Sequence, residues 1–386
     1  MKVTEDIVYI GVNDHELDLF EGQYVVPNGM SYNSYVIADE KTAVMDSVEE
    51  RFGAEWLGNL AGAVDGRAPD YLVVQHMEPD HSANITRFMD SYPDAVMVAS
   101  AKAFDMLERF YGVSYEERRL VVKEGDELDL GSHVLRFLAA PMVHWPEVMM
   151  TYDATAQVLF TADAFGKFGA LDVDEDWACE ARRYYFGIVG KFGRQVTALL
   201  KKVEALDVKA ICPLHGPVLS QDLDYFLGLY KTWAAYEVES EGVAIAYCSI
   251  YGHTKEAVEL LARELELAGC PKVAVSDLAR DDMAEAVEDA FRYGTLVLAS
   301  PTYNGDMFPF MKSFIDHLAD HAFQNRRIAF MENGTWAPNA LKAMKAKVET
   351  LKGIEMVEPE VSIRSALTDE TRAQIRELAA VLVAQA

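Results

Sequence analysis

The sequence is poor in cysteine and in positive charge, and it lacks any long apolar run. Its 386 residues include only four cysteines, Cys179, Cys212, Cys248 and Cys270, scattered without a C-x-x-C pair. That spacing excludes a Cys-rich zinc ribbon or a four-cysteine iron site and argues against a disulfide framework, so a reducing, cytoplasmic compartment is expected. No stretch approaches the roughly 18 apolar residues of a membrane-spanning helix. The first six residues, Met1-Lys-Val-Thr-Glu-Asp6, are polar and acidic, where a signal peptide is basic and then apolar. Lys and Arg number 35 against 62 Asp and Glu, a formal net charge of −27. Such a surface repels nucleic-acid phosphates and anionic membranes, and it suits a cationic or locally basic partner. Neither G-x-G-x-x-G nor G-x-x-x-x-G-K-[ST] occurs, so the dinucleotide fingerprint and the P-loop are both absent.

What is present falls into two grammars. The length suggests roughly two to three domains with cores of their own. Residues 1 to about 240 read as short strands and turns with interspersed helices. Two short apolar runs flank Asp39-Glu-Lys41 as a hairpin, further strands fall near 134–138, 148–152 and 157–160, and helices near 50–64, 83–91, 101–111 and 193–206. Residues 241–386 alternate strand and helix. The strands are Val243-Ala-Ile-Ala-Tyr247, Lys272-Val-Ala-Val275, Thr295-Leu-Val-Leu-Ala299 and Arg327-Ile-Ala-Phe330. That alternation predicts an α/β fold with a doubly wound parallel sheet. The charged, Gly-ended segment Tyr236-Glu-Val-Glu-Ser-Glu-Gly242 is the expected boundary, giving domains 1–240 and 241–386.

In the first half, an apolar strand runs into Gln75-His76-Met77-Glu78-Pro79-Asp80-His81. His76 and Glu78 are two apart, so extended backbone points them the same way. Pro79 then turns the chain and presents Asp80 and His81 differently. Two adjacent metals could share such a segment, His76 and Glu78 on one and Asp80 and His81 on the other. His144, Asp163 and His215 each follow the end of an apparent strand and could converge on the same rim. Singly, each is an ordinary loop residue; the case rests on the set. Four imidazoles with three carboxylates suit redox-active iron or manganese better than zinc. Asp163, with two oxygens to offer, is the expected bridge.

In the second half, the first strand runs into Cys248-Ser249-Ile250-Tyr251-Gly252-His253-Thr254 and then a helix. A tight polar loop at a helix N-terminus is an anion site, with backbone N–H groups and the Ser249 and Thr254 hydroxyls facing a phosphate. This neutral loop suits a monophosphate. Pro301-Thr302-Tyr303-Asn304-Gly305 follows the third strand and Asn333-Gly334-Thr335-Trp336 the fourth. All three loops should emerge at one carboxyl edge of the sheet, where Tyr303 and Trp336 offer flat faces to a ring system.

The H-x-E-x-D-H run, with His144, Asp163 and His215 in that order, resembles the metallo-β-lactamase-like domain of flavodiiron proteins, an αββα sandwich. The three later loops resemble those by which flavodoxin binds FMN. Supporting text includes Pro27-Asn-Gly-Met-Ser-Tyr-Asn-Ser-Tyr35 and Glu180-Ala-Arg-Arg-Tyr-Tyr185. The resemblance implies that His76, Glu78 and His144 ligate one iron, that Asp80, His81 and His215 ligate the other, and that Asp163 bridges them. It implies FMN in the second domain and, as catalytic residue, a nearby tyrosine that is either Tyr184 or Tyr185. The implied activity is reduction of dioxygen to water or of nitric oxide to nitrous oxide. Electrons would come from an external donor such as rubredoxin or reduced coenzyme F420, through a head-to-tail homodimer or dimer of dimers. Many relatives have Phe-His-Gly where this chain has Phe20-Glu21-Gly22. The alternatives are a zinc hydrolase with a flavodoxin-like appendage and a non-catalytic electron-transfer flavoprotein; Glu78, where hydrolases of the wider superfamily usually carry His, weighs against the former.

Overall fold

In a computed structural model, residues 1–384 are described and form two compact units, Met1–Lys231 and the part from Thr232 onward. The residues just before the strand Ser240–Tyr247 belong to the second unit for a local reason. The buried Arg326 guanidinium donates to the carbonyls of Tyr236 (2.7 Å) and Glu237 (2.9 Å), and Trp233 Nε1 donates to Glu239 (2.7 Å).

The first unit is built on two sheets. The six-stranded one runs in the order Ile7–Tyr9, Tyr35–Ile37, Ala43–Met45, Tyr71–Val73, Val96–Ser100, Arg119–Val122. Tyr35–Ile37 and Ala43–Met45 form the expected antiparallel hairpin, and from Ala43–Met45 onward the strands are parallel. Parallel neighbours require crossovers, and helices Gly53–Ala63 and Ala101–Tyr111 supply two of them. The second helix starts where Ser100 accepts a bond from Ala103 N–H and stops at Gly112, which adopts φ 68°. The five-stranded sheet is a meander, Glu127–Asp129, Val134–Ala139, Met149–Asp153 and Val158–Phe160, closed by Ala210–Cys212 running parallel to Val158–Phe160.

The inner faces of the two sheets share one core. Tyr35, Met45, Val73 and Val98 from one meet Leu135, Phe137, Phe160 and Cys212 from the other. Helices cover the outside: Gly53–Ala63 buries Trp56 and Leu60, and Gly193–Val203 buries Val196, Leu199, Leu200 and Val203 at helical spacing. This is the αββα sandwich of the metallo-β-lactamase-like class.

The second unit is a sheet in the order Val273–Asp277, Ser240–Tyr247, Tyr293–Tyr303, Arg327–Asn333, extended by Glu355–Met356 and Val361–Ile363. Those pairings are all parallel, and only the short strand Asp306–Met307 folds back antiparallel. The three inner strands Ser240–Tyr247, Tyr293–Tyr303 and Arg327–Asn333 were visible in the sequence as apolar runs because both of their faces are covered. Helices His253–Leu267 and Asp369–Ala384 pack Val258, Leu261, Ile375 and Leu378 against Ile245, Val297 and Ala329 on one side. Strand order and helix cover are those of the flavodoxin-like fold. Among the described residues no helix is long and apolar enough to cross a membrane, and no disulfide forms.

One buried ion pair ties the second sheet of the sandwich together. His133 Nδ1 stands 2.6 Å from Asp153 Oδ2, with the Asp153 side chain fully shielded and the His133 side chain nearly so. Burial opposes the imidazolium, but the Asp153 carboxylate outweighs it and raises the His133 pKa above the ordinary value. A raised pKa contributes stability that is fully present below the unfolded value of about 6.5 and is lost as pH climbs through the folded value. His133→Gln should therefore cost about 1.5–3 kcal/mol at pH 6 and less at pH 9, measured by urea denaturation at both pH values.

Candidate metal cluster and mononucleotide cleft

Every candidate ligand sits on a loop that leaves the end of a strand. The loop after Tyr71–Val73 is held by Asp46, whose carboxylate accepts from Gln75 N (2.7 Å), Gln75 Nε2 (2.8 Å) and His76 N (3.3 Å). Burial pushes Asp46 up to about 6 against these bonds. Pro79 opens the short helix Pro79–Ser82, which carries Asp80 and His81, and Ser47 Oγ donates to the His81 carbonyl (2.6 Å). His144 lies between the strands Val134–Ala139 and Met149–Asp153, Asp163 just beyond Val158–Phe160, and His215 just beyond Ala210–Cys212.

Asp163 is strongly constrained. Ala162 (φ 51°) and Phe165 (φ 66°) flank it in the left-handed region, sparsely populated by residues with a Cβ. Leu214 N–H bonds the Ala162 carbonyl (2.9 Å), Gly166 N–H the Asp163 carbonyl (3.0 Å), and Thr161 Oγ1 the Ala164 carbonyl (2.7 Å). A Cβ on Gly166 would stand 2.9 Å from the Asp163 carbonyl oxygen and 3.4 Å from His215 Cβ. Glycine is what lets these two ligand loops approach.

The seven side chains converge in two groups. Asp163 Oδ2 lies 3.2 Å from His76 Nε2 and 3.0 Å from His144 Nε2, and Glu78 Oε2 lies 3.2 and 3.0 Å from the same two nitrogens. Asp163 Oδ1 faces the other way, 3.4 Å from His81 Nε2 and 3.8 Å from His215 Nε2. Asp80 Oδ2 completes that side at 3.2 and 3.3 Å from these nitrogens. Ligands about 2.0–2.2 Å from one cation are separated by edges of about 2.9–3.6 Å. All but the His215–Asp163 edge fall in that range. One carboxylate with an oxygen in each group is the geometry of a bridge.

Hydrogen bonding favours cations over direct contacts. His76 Nδ1 donates to Glu147 Oε1 (2.8 Å), and His215 Nδ1 donates to the Ser31 carbonyl (2.7 Å). Each neutral ring therefore turns its Nε2 lone pair inward. His81 Nε2 and His215 Nε2 stand 3.0 Å apart, and both Asp80 oxygens and Asp163 Oδ1 are buried without a hydrogen-bond donor among the described residues. Lone pairs facing lone pairs in a dry site demand positive charge between them. Left to protons alone, the carboxylates would recruit them: burial opposes charge on His144, yet Asp163 and Glu78 raise its pKa to about 9. Burial likewise acts to raise Asp163, and the surrounding imidazoles hold it well below the carboxylate range instead.

Aromatic rings wall the cluster. Phe20, Tyr32 and Tyr184 lie 5.4, 5.8 and 5.5 Å from the His215 ring, and Trp145 lies 5.2 Å from His76. The two candidate tyrosines diverge. Tyr184 adjoins His215, and its phenol is raised well above its usual value by burial, then by Asp163, Glu78, Asp80 and Glu21. Tyr185 packs on Phe186 and Tyr230, each at 5.1 Å. Glu21 reaches solvent, but its carboxyl crowds Glu78; burial and then that charge push it up to about 7. Sequence reasoning did not pick out Asp46 or Glu147, which hold the ligands from behind. The only signal for Glu147 was its place three residues after His144.

In the second unit the three loops line a cleft of about 530 Å³ at the carboxyl edge of the parallel strands, a volume suited to a mononucleotide. Ser249, Ile250, Tyr251, His253 and Thr254 line it, with Pro301 through Gly305 and Asn333 through Trp336. Gly252 is not in the wall. It is the N-cap of the helix His253–Leu267 at φ 96°, and Thr254 lies within the first turn rather than capping it. Ser249 Oγ accepts from Gly252 N–H (3.2 Å) and Lys255 N–H (3.3 Å). Tyr251 and Trp336 are 91% and 81% exposed, an unusual state for large aromatic rings unless a flat ligand covers them.

Two further residues that the sequence did not single out line the cleft, Ala337 and Ser365, and Asn339 braces its loops from behind. Ser365 lines it from beyond Val361–Ile363, its backbone N–H donating to Asn333 Oδ1 (2.9 Å) and its carbonyl accepting from Asn333 Nδ2 (3.0 Å). Asn339 stitches two loops together. Its side chain donates to the Gly305 carbonyl (2.6 Å), and Thr302 Oγ1 accepts from the backbone of Asn339 (2.8 Å) and Ala340 (3.0 Å).

These folds and sites define a class: an αββα sandwich with a two-metal cluster, joined in one chain to a flavodoxin-like sheet with a mononucleotide-sized cleft. Residues 30–216 match the family model described as ODP family beta lactamase, and residues 232–368 match that of NADPH-dependent FMN reductase. A nitric oxide reductase of Moorella thermoacetica is 31% identical over 372 residues, covering 92% of this chain and 91% of that protein. An anaerobic nitric oxide reductase flavorubredoxin of Escherichia coli is 31% identical over 367 residues, covering 92% of this chain and 76% of that one. The solved rubredoxin oxygen:oxidoreductase of Desulfovibrio gigas superposes with a TM-score of 0.91 at 23% identity, over 100% of this chain and 98% of that one. The flavodiiron protein of Giardia intestinalis gives 0.91 at 23% identity, over 98% and 95%. The chain belongs to the flavodiiron family.

Because Thr302 Oγ1 caps the helix Ala340–Val348 from the neighbouring loop, Thr302→Val should cost about 1 kcal/mol. It should also weaken binding of added FMN several-fold, read by quenching of flavin fluorescence.

Proposed function

We propose that this chain is an oxidoreductase that reduces dioxygen to water, nitric oxide to nitrous oxide, or both, using FMN and two non-haem irons. The observation that carries the reading is Asp163, whose two oxygens face two separate sets of imidazoles and a carboxylate. Support comes from the names of its relatives, nitric oxide reductase and flavorubredoxin. Mixed imidazole and carboxylate donors suit iron, whereas closed zinc sites favour sulfur and imidazole. When bound, the irons supply Lewis acidity and electrons to a small oxidant, and FMN takes electrons up and passes them on.

The residues of the chain prepare that chemistry. In this reading His76, Glu78 and His144 hold one iron, Asp80, His81 and His215 the other, and Asp163 joins them. Both reductions consume protons as well as electrons. Tyr184, kept protonated by burial and by the surrounding carboxylates, holds a proton beside His215 and can donate a hydrogen bond to a ligand in the pocket. Phe20, Tyr32 and Trp145 limit water around the ligands. At the flavin, the 249–254 loop receives the phosphate, while Tyr303 and Trp336 flank the ring system. The first unit, Met1–Lys231, is the di-iron domain and the second, from Thr232 onward, the FMN domain, so the boundary lies about nine residues before the expected 240/241. The electron donor is a separate redox carrier, rubredoxin or reduced coenzyme F420. The assembly is a head-to-tail homodimer or a dimer of dimers, and the compartment is the cytoplasm.

Purified, reconstituted protein should contain FMN and about two irons per chain. After anaerobic reduction it should be reoxidised by one or both gases in stopped-flow mixing. His144→Ala and Asp163→Ala should slow that reoxidation by more than about 100-fold, since loss of a mere outer partner of a ligand already costs about 10–100-fold. Reduction of the bound flavin should survive both changes. Bound zinc with hydrolytic activity, or full gas reduction by either variant, would overturn the assignment.

A further inference from the structure

The two metal positions have the same composition, two imidazoles and one carboxylate with Asp163 shared, yet their surroundings differ. Behind His76 stands an anion. Glu147 Oε1 accepts the Nδ1 proton at 2.8 Å and Met77 N–H at 2.9 Å, with both side chains fully shielded from solvent. Ser100 Oγ pins the Glu147 backbone carbonyl at 3.0 Å. Behind His215 stands only a neutral carbonyl, that of Ser31 at 2.7 Å, and His81 Nδ1 is buried without a hydrogen-bond partner among the described residues.

We propose that Glu147 is a positioning residue that makes the two metal positions unequal, so that the His76–Glu78–His144 position holds its cation more tightly than the Asp80–His81–His215 position. A carboxylate drawing on the Nδ1 proton raises the electron density at Nε2 and fixes the ring's tautomer and aim. Because the His76 and Glu147 side chains are fully shielded from solvent, the extra negative charge attracts the cation with little screening. The carbonyl behind His215 fixes the tautomer equally well but contributes no net charge. Under metal limitation the protein therefore passes through a half-loaded form, occupied on the Glu147 side.

This inference rests on the two-iron reading, and the experiment separates the two. The full-length, ferrous-loaded protein is mixed anaerobically with an excess of a chromogenic ferrous chelator, and iron loss is followed in time. Wild type should lose its iron in two phases of equal amplitude. His215→Ala should retain only the slow phase, which assigns it to the His76 side. Glu147→Gln keeps a hydrogen-bond acceptor but removes the charge; it should speed the slow phase by about 10–100-fold and leave the fast one unchanged. Glu147→Asp, which restores the charge, should recover part of the difference. A single phase in wild type, loss of the slow phase in His215→Ala, or an equal effect of Glu147→Gln on both phases would overturn the inference and leave the reductase reading standing. Protein that takes up no iron overturns both. Should Glu147→Gln fail to fold, by circular dichroism, Glu147→Asp decides in its place: its shortened side chain should speed the slow phase and leave the fast one unchanged, and an unchanged slow phase would overturn the inference.

Discussion

The carboxylate of Asp163 is the point on which the site depends. It is buried, it is charged, and each of its oxygens faces a different pair of imidazole nitrogens. An anion in that position requires compensation. The imidazoles cannot provide it while neutral, because Glu147 and the Ser31 carbonyl have already claimed the Nδ1 protons of His76 and His215. Two cations between the groups satisfy every one of these atoms together. The strain beside Asp163, the close approach at Gly166 and the Asp46 clamp on the 75–76 backbone all serve to hold that arrangement before a metal arrives.

Both units solve the same geometric problem in the same way. A chemically useful group needs several side chains from remote parts of the chain, and the end of a sheet is where remote segments are brought together. In the sandwich, ligand loops leave Tyr71–Val73 in one sheet, and Val134–Ala139, Val158–Phe160 and Ala210–Cys212 in the other. In the parallel sheet, the loops after Ser240–Tyr247, Tyr293–Tyr303 and Arg327–Asn333 meet around one cleft. The first arrangement gathers charge and lone pairs, which suits metal ions. The second leaves flat rings and helix N–H groups, which suits a planar phosphorylated cofactor. Joining an electron-accepting cofactor to a two-metal centre in one chain is the economy that defines the family.

Much of this was legible in the amino-acid order. The ligand run His76-Met-Glu78-Pro-Asp80-His81 is compact, so its residue types and spacing survive without tertiary information. Three of the four principal strands of the second half appear as apolar runs because they are buried on both faces, whereas Val273–Asp277 lies at the sheet edge with Val275 exposed. Less visible were elements with weak local signals. The strands Val96–Ser100 and Arg119–Val122 and the helix Leu223–Ala234 went unassigned, the second strand because it is only four residues long and three of them are exposed. Gly252, free to adopt φ 96°, caps the helix His253–Leu267 and so places Thr254 inside its first turn.

The order of residues alone determined which side chains could bind metal, which loops could receive a phosphate, and the two-part architecture, because these depend on residue type, short spacing and apolar period. Tertiary structure decided what no spacing encodes: that Tyr184 rather than Tyr185 lies beside His215, that Ser365 joins the cleft wall while Asn339 braces two of its loops, and that Glu147 backs His76 across 71 positions. Adjacent tyrosines on a helix differ by about 100° in direction, and only the packing of that helix says which faces the cluster. A hydrogen bond between distant loops has no local signature, since its partners become neighbours only when the sheets that carry them close on a common core.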